Sequence, residues 1–200
     1  MKTTKYICAA ATALLLCACE SKAPRQEVDE PEFIVPEDFS ENASISGIVT
    51  SVEDDMISVL TEAGDTCRFA MSEALANQRV FGGYNLNDYV VVVPDQGDDA
   101  EELVNLTTLA GRWVLKNVAE EESGINIKEG GIASSINNDT QNFKSWSMDG
   151  TRLLLSWSGD GSDGTSELVD TCRVTYLSKD TLKIVSSYDT SLTTVYYRQK

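Results

Sequence analysis
Residues 142–157 read NFKSWSMDGTRLLLSW. Asp149-Gly150 is a strong two-residue hairpin signal, and apolar residues alternate on both sides of it. With that pair at the turn, Trp146 falls opposite Leu153, Lys144 opposite Leu155 and Asn142 opposite Trp157. One face of the hairpin then gathers Trp146, Leu153, Leu155 and Trp157, as in strands with one buried side. SKD at 178–180 works in the same way. A three-residue loop there sets Tyr176 against Leu182 and Val174 against Ile184, with Cys172 on the same apolar face. Around these hairpins lie eight strand candidates, 111–118, 124–128, 131–136, 141–148, 151–157, 167–177, 181–187 and 192–198. Short antiparallel strands in succession, joined by turns rich in Gly, Asp, Asn and Ser, predict an up-and-down β-barrel over residues 107–200.

Upstream, the pattern is again β. SISGIVTSV (44–52), MISVLT (56–61) and TCRFAM (66–71) are rich in β-branched residues, and EAGD is a tight-turn signal between the last two. SEALANQ (72–78) reads as a short helix with Ser72 as N-cap. RVFGG and NDYVVVV (87–93) follow as strands, and the unbroken Val90–Val93 run suits a strand covered on both faces. Three strands, a helix and two strands are the order of a small OB-like barrel over residues 43–94. The fold class expected is therefore all-β, with two barrels in succession. Gly82-Gly83 is followed by neither a lysine nor a helix, so it reads as a turn rather than a phosphate loop.

The chain has 32 acidic and 16 basic residues, a net charge of −16, and no histidine. Without histidine there is no Ser-His-Asp or Cys-His catalytic arrangement, and the commonest zinc ligand is missing. No cofactor motif is present, and the expectation is a protein that is not an enzyme. The acids are uneven. Residues 20–42 carry eight against two bases, 43–94 seven against two, 95–106 five against none and 107–200 twelve against ten. This field argues against nucleic acid as a partner. PDQGDDAEE (94–102) makes residues 95–106 read as an acidic linker. Calcium binding there, or at Asp160, Asp163 and Glu167, is the weaker reading, because neither spacing matches a calcium loop.

The first 18 residues have the zones of an export signal: Lys2 and Lys5, then an apolar run too short to span a bilayer, then small residues. Leu16-Cys17-Ala18-Cys19 resembles a bacterial lipobox. The resemblance implies cleavage before Cys19, lipidation of its sulfur, and loss of Cys8 and Cys17 with the signal. Several acyl chains hold such a protein firmly where one binds only weakly. Residues 19–42, with Pro24, Pro31 and Pro36 among acids, read as an extended tether. The expected location is the cell envelope, at the outer membrane.

LAGRWVLKN (109–117) resembles the Gly-x-Trp opening strand of lipocalin-like domains. GINIKEGGIASSINNDTQNFKSW (124–146) and LLLSWSGDG (153–161) are similar to a lipocalin-like domain of gut Bacteroidota lipoproteins. The resemblance implies a barrel and an envelope location without naming a ligand. At about 94 residues the domain is short, so its barrel is expected to be shallow or filled by its own side chains. The aromatic residues Trp113, Phe143, Trp146, Trp157, Tyr176 and Tyr196 are candidates to line a site for a small apolar or glycan ligand, with core packing the favoured reading for most of them. Tyr84 and Tyr89 offer the same choice in the first barrel. Docking of another envelope protein on the barrel surface is the alternative function. Cys67 and Cys172 both fall on apolar faces and read as free thiols.

Overall fold
The computed structural model describes residues 44–95, 97–116, 122–138, 141–158 and 167–199. The expected signal, Cys19, the tether, and Asp160 and Asp163 lie outside the described residues. The first sheet is built from β1 (Ile45–Glu53), β2 (Met56–Thr61), β3 (Thr66–Ala70), β4 (Val80–Phe81), β5 (Tyr89–Pro94) and β6 (Ala100–Asn105), in the order β3-β2-β1-β5-β6-β4. All neighbours are antiparallel except β4 and β6. An isolated parallel bridge, Ala70 to Asp99, links the end of β3 to the approach of β6. Helix α1 (Ser72–Ala76) follows β3. Val49, Ile57, Val59, Phe69, Val90 and Leu103 form the core of this half. Gly47 is required where β1 crosses β2, because a Cβ there would lie 2.2 Å from the Leu60 carbonyl oxygen.

Several expectations are met here and two are corrected. Val90, Val91 and Val92 are all buried, as a strand covered on both faces requires. Gly82 and Gly83 turn with φ of 89° and 69°. Ser72, expected as N-cap, is instead the first helical residue; its hydroxyl donates to Asp55 at 2.5 Å, and Met71 holds the cap position. The expected linker 95–106 contains β6. Its acids conceal a short apolar pattern, in which Ala100 and Leu103 join the first core while Val104 joins the barrel core. One strand thus serves two cores from opposite faces.

Asn105, fully buried, ends β6 and caps α2 (Leu106–Leu109), accepting from Thr108 N at 2.8 Å. Its amide donates to Gly83 O at 3.0 Å and Asp88 Oδ2 at 2.7 Å, so the polar side chain is satisfied. The second sheet follows: β7 (Gly111–Leu115), β8 (Gly124–Lys128), β9 (Ile132–Ile136), β10 (Asn142–Asp149), β11 (Arg152–Ser158), β12 (Glu167–Leu177), β13 (Thr181–Ser186) and β14 (Thr193–Arg198). These eight strands close into an antiparallel barrel in chain order, with β14 beside β7. A 3-10 turn, Glu129–Gly131, joins β8 to β9.

The hairpin that suggested the barrel has the expected faces but a register displaced by two residues. Asp149 pairs with Arg152 and Trp146 with Leu155, so the turn residues are Gly150 and Thr151. Gly150 takes φ 59° at the first turn position, where a two-residue hairpin favours glycine. A bulge between Phe143 and Ser145 then puts Phe143, not Asn142, opposite Trp157. In the second hairpin Val174 faces Ile184 as expected. A bulge beyond it pairs Leu177 with Leu182 and turns Tyr176 outward against Lys183. Bulges bend a strand and sharpen its twist, which a small closed barrel needs.

Candidate functional site
Alternate positions of the barrel strands point into the lumen. Trp113, Ile125, Leu153, Cys172, Val174 and Leu182 meet there with almost no exposure. Trp113 donates its indole N–H to Leu109 O at 2.7 Å. The Arg198 guanidinium lies 4.2 Å from the Trp113 ring and donates to Ala110 O at 2.9 Å, to Lys179 O at 2.7 Å and to Thr108 O. Burial holds the Arg198 pKa below its ordinary value, and Asp180 opposes that shift. At Gly111 a Cβ would meet Arg198 Nη1 at 2.1 Å. The glycine of Gly-x-Trp therefore leaves room for the arginine that covers the tryptophan.

The six aromatic candidates divide. Trp113, Phe143, Trp146 and Tyr196 belong to the lumenal cluster, and Trp157, half-buried, packs against it. Trp146 donates its indole N–H to Lys128 O at 2.7 Å. Tyr176 lies outside the lumen, 46% exposed, with Lys183 Nζ 5.3 Å from its ring centre. Cys172 is pushed up to about 12 by burial first and by Asp170 next. Tyr196 also rises to about 12, through burial and then the neighbouring Cys172 and Asp170. Asp170 accepts from Ser186 Oγ at 2.7 Å. Cys67 and Cys172 are free thiols, the first half-buried and the second buried.

The Ser-Ile-Asn part of the motif has a structural task that sequence reasoning did not assign. Ser135 Oγ accepts from Phe143 N at 2.8 Å and donates to Gln141 O, stitching β9 to β10. Ile136 is buried, and Asn137, at φ 43°, donates to Glu122 O at 3.0 Å. With Phe143 and Trp146 in the core, this signature describes how the barrel closes.

A groove of about 660 Å3 lies between the outer face of β1 and β5 and the barrel. Ser46, Ile48, Glu62 and Tyr89 wall one side, Gly130 and Met148 the other. Tyr89 is held from both ends: its hydroxyl donates to Glu62 Oε1 at 3.0 Å and its backbone N–H to Thr107 Oγ1 at 2.8 Å. Burial raises the Tyr89 phenol above its ordinary pKa; a hydrogen bond with Ser46 opposes this and Glu62 adds to it. Tyr84, the other tyrosine considered, packs on the first core. Elsewhere, Glu73, Asp95 and Asp99 each bring a carboxylate oxygen within 4.8 Å of the others, but all three are exposed, as in a solvated acidic turn.

The fold defines a class: an antiparallel eight-stranded barrel preceded by a mixed sheet. Residues 105–199 match the family model described as lipocalin-like, so the chain carries a lipocalin-like domain there. A solved structure of a lipocalin-like protein from Bacteroides thetaiotaomicron is similar at 33% identity. The match covers 46% of this chain and 97% of that one, with a TM-score of 0.40. A search of the curated proteins finds no match.

Proposed function
We propose that the protein is a non-enzymatic lipoprotein of the bacterial cell envelope, anchored through Cys19 at the outer membrane, that binds a small ligand on the outside of a filled barrel. The observation that carries this reading is the packing of the lumen, where Trp113, Leu153 and Leu182 are fully enclosed. A small barrel filled by its own side chains acts as a rigid scaffold, and recognition then falls to its surfaces. We also read the first sheet as an OB-like barrel. Support comes from the order β3-β2-β1-β5-β6, the helix after β3 and the parallel bridge that brings β6 back towards β3. The acidic charge of −16 favours neutral ligands over nucleic acid. The second reading, docking of another envelope protein, is favoured by exposed apolar side chains on the barrel, among them Leu168, Val169, Tyr188 and Leu192. The test is titration of the full-length protein with a fluorescent fatty acid. No saturable uptake is expected. Stoichiometric uptake that quenches the lumenal tryptophans overturns the reading.

A further inference from the structure
The groove between the first sheet and the barrel has both the size and the wall chemistry of a ligand site. Its volume of about 660 Å3 lies within the roughly 300–1,000 Å3 of small-molecule sites. We propose that it binds a neutral, hydroxyl-rich ligand, a short glycan segment, between β1 and β5 on one side and the barrel on the other. This rests on the reading that recognition occurs outside the lumen, and it adds the place and the ligand class.

The argument begins with charge. The groove's described lining includes two carboxylates, Glu62 and Glu129, and no lysine or arginine. An anionic ligand would be repelled there without a compensating cation. The rest of the polar wall is hydroxyl and amide: Ser44, Ser46, Asn87, Thr107, Ser147 and the Tyr89 phenol. Hydroxyls both donate and accept, carboxylates accept only, and an amide does both from separate atoms. A sugar, each of whose hydroxyls donates and accepts, matches that mixture, whereas a purely apolar ligand would cut the wall's remaining donors and acceptors off from water without replacing it.

Shape and rigidity support the same ligand. A sugar also has C–H faces that pack against aromatic and aliphatic surface. Tyr89 supplies an aromatic ring fixed at both ends by Glu62 and Thr107. Ile48, 42% exposed, stands beside it with apolar surface uncovered. On the opposite wall, Gly130 and Gly131 take φ of 76° and 80°, which bare the backbone to the groove where a larger residue would be strained. A wall already fixed before binding keeps the ordering cost low.

The test is saturation-transfer NMR on the full-length protein in a detergent without a sugar headgroup. The probes are maltotriose, xylotriose, N,N′-diacetylchitobiose and the anionic control trigalacturonate. At least one neutral probe is expected to bind, and trigalacturonate is not. Glu62→Gln, at an exposed position, should weaken binding about tenfold, the equivalent of about 1.4 kcal/mol, with an unchanged circular dichroism spectrum. Ser46→Trp, which fills the groove, should abolish binding, while Leu168→Trp on the barrel should leave it intact. Failure of all three neutral probes overturns the glycan class. If an apolar or cationic probe then binds and is lost in Ser46→Trp, external recognition stands and only the ligand class falls. Sugar binding that survives Ser46→Trp overturns the groove itself, whether or not it is lost in Leu168→Trp.

Discussion
Ser135→Ala tests how the barrel is closed. Among the described residues, β9 and β10 share a single backbone residue pair, Ser145 with Ile132, whereas β8 and β9 share five. The Ser135 hydroxyl supplies two more links across that seam, one from Phe143 N and one to Gln141 O. Alanine leaves both backbone groups without their partner. An unsatisfied buried group costs about 1–3 kcal/mol, and water repairs part of the loss at a half-buried site, so about 1–2 kcal/mol is expected. For a unit the size of Ser40–Lys200, that lowers the melting temperature by about 2–8 °C. Calorimetry measures the shift, and hydrogen exchange localises it. The Phe143 amide should exchange faster in Ser135→Ala than in the parent, ahead of the Val174 amide, and Ser135→Thr should restore much of its protection. A Phe143 amide as slow in the alanine variant as in the parent would refute the seam argument.

Other consequences can be measured in the same way. Trp113→Ala, in the enclosed lumen, should cost about 3–5 kcal/mol, and Trp157→Ala, half-buried, clearly less; equal losses in urea unfolding would count against a filled lumen. Cys172 and Tyr196 hold their protons to about 12 in the folded state, whereas an unfolded thiol releases its proton near about 8.5 and an unfolded phenol near about 10. The unfolded state therefore loses protons first, so the stability these groups contribute is complete below about pH 8.5 and is lost as pH rises towards 12. Cys172→Val should move the onset of alkaline unfolding upward, and an unmoved onset would assign it to other groups. Residues 107–200 alone lack Phe81 and Val104, which pack in the barrel core. That fragment should melt below the chain that keeps residues 43–106, and equal melting would mean the barrel core is complete without them. Cys19→Ala should release the protein from the membrane fraction; a variant that still pellets and takes up labelled fatty acid contradicts the anchor.

Much of the barrel can be read without coordinates, because strand parity is a local property. Trp146, Leu153 and Leu155 alternate with polar neighbours, so their shared face follows from the pleat alone. A slip of two residues preserves that face, which is why the Asp149-Gly150 signal identified the buried side and still left the register two residues off. The bulges that bring Phe143 to Trp157 and turn Tyr176 outward answer to barrel curvature, which no local pattern records. β6 is concealed in the sequence because its acids dominate a short strand, and only two cores meeting on its opposite faces explain Leu103 and Val104. Arg198 and Gly111 are 87 positions apart, yet the absence of one side chain makes the place for the other. The groove has the same origin. Ser46, Tyr89 and Met148 lie far apart in the chain, and their meeting depends on how one sheet packs against another, a long-range choice made by the tertiary structure.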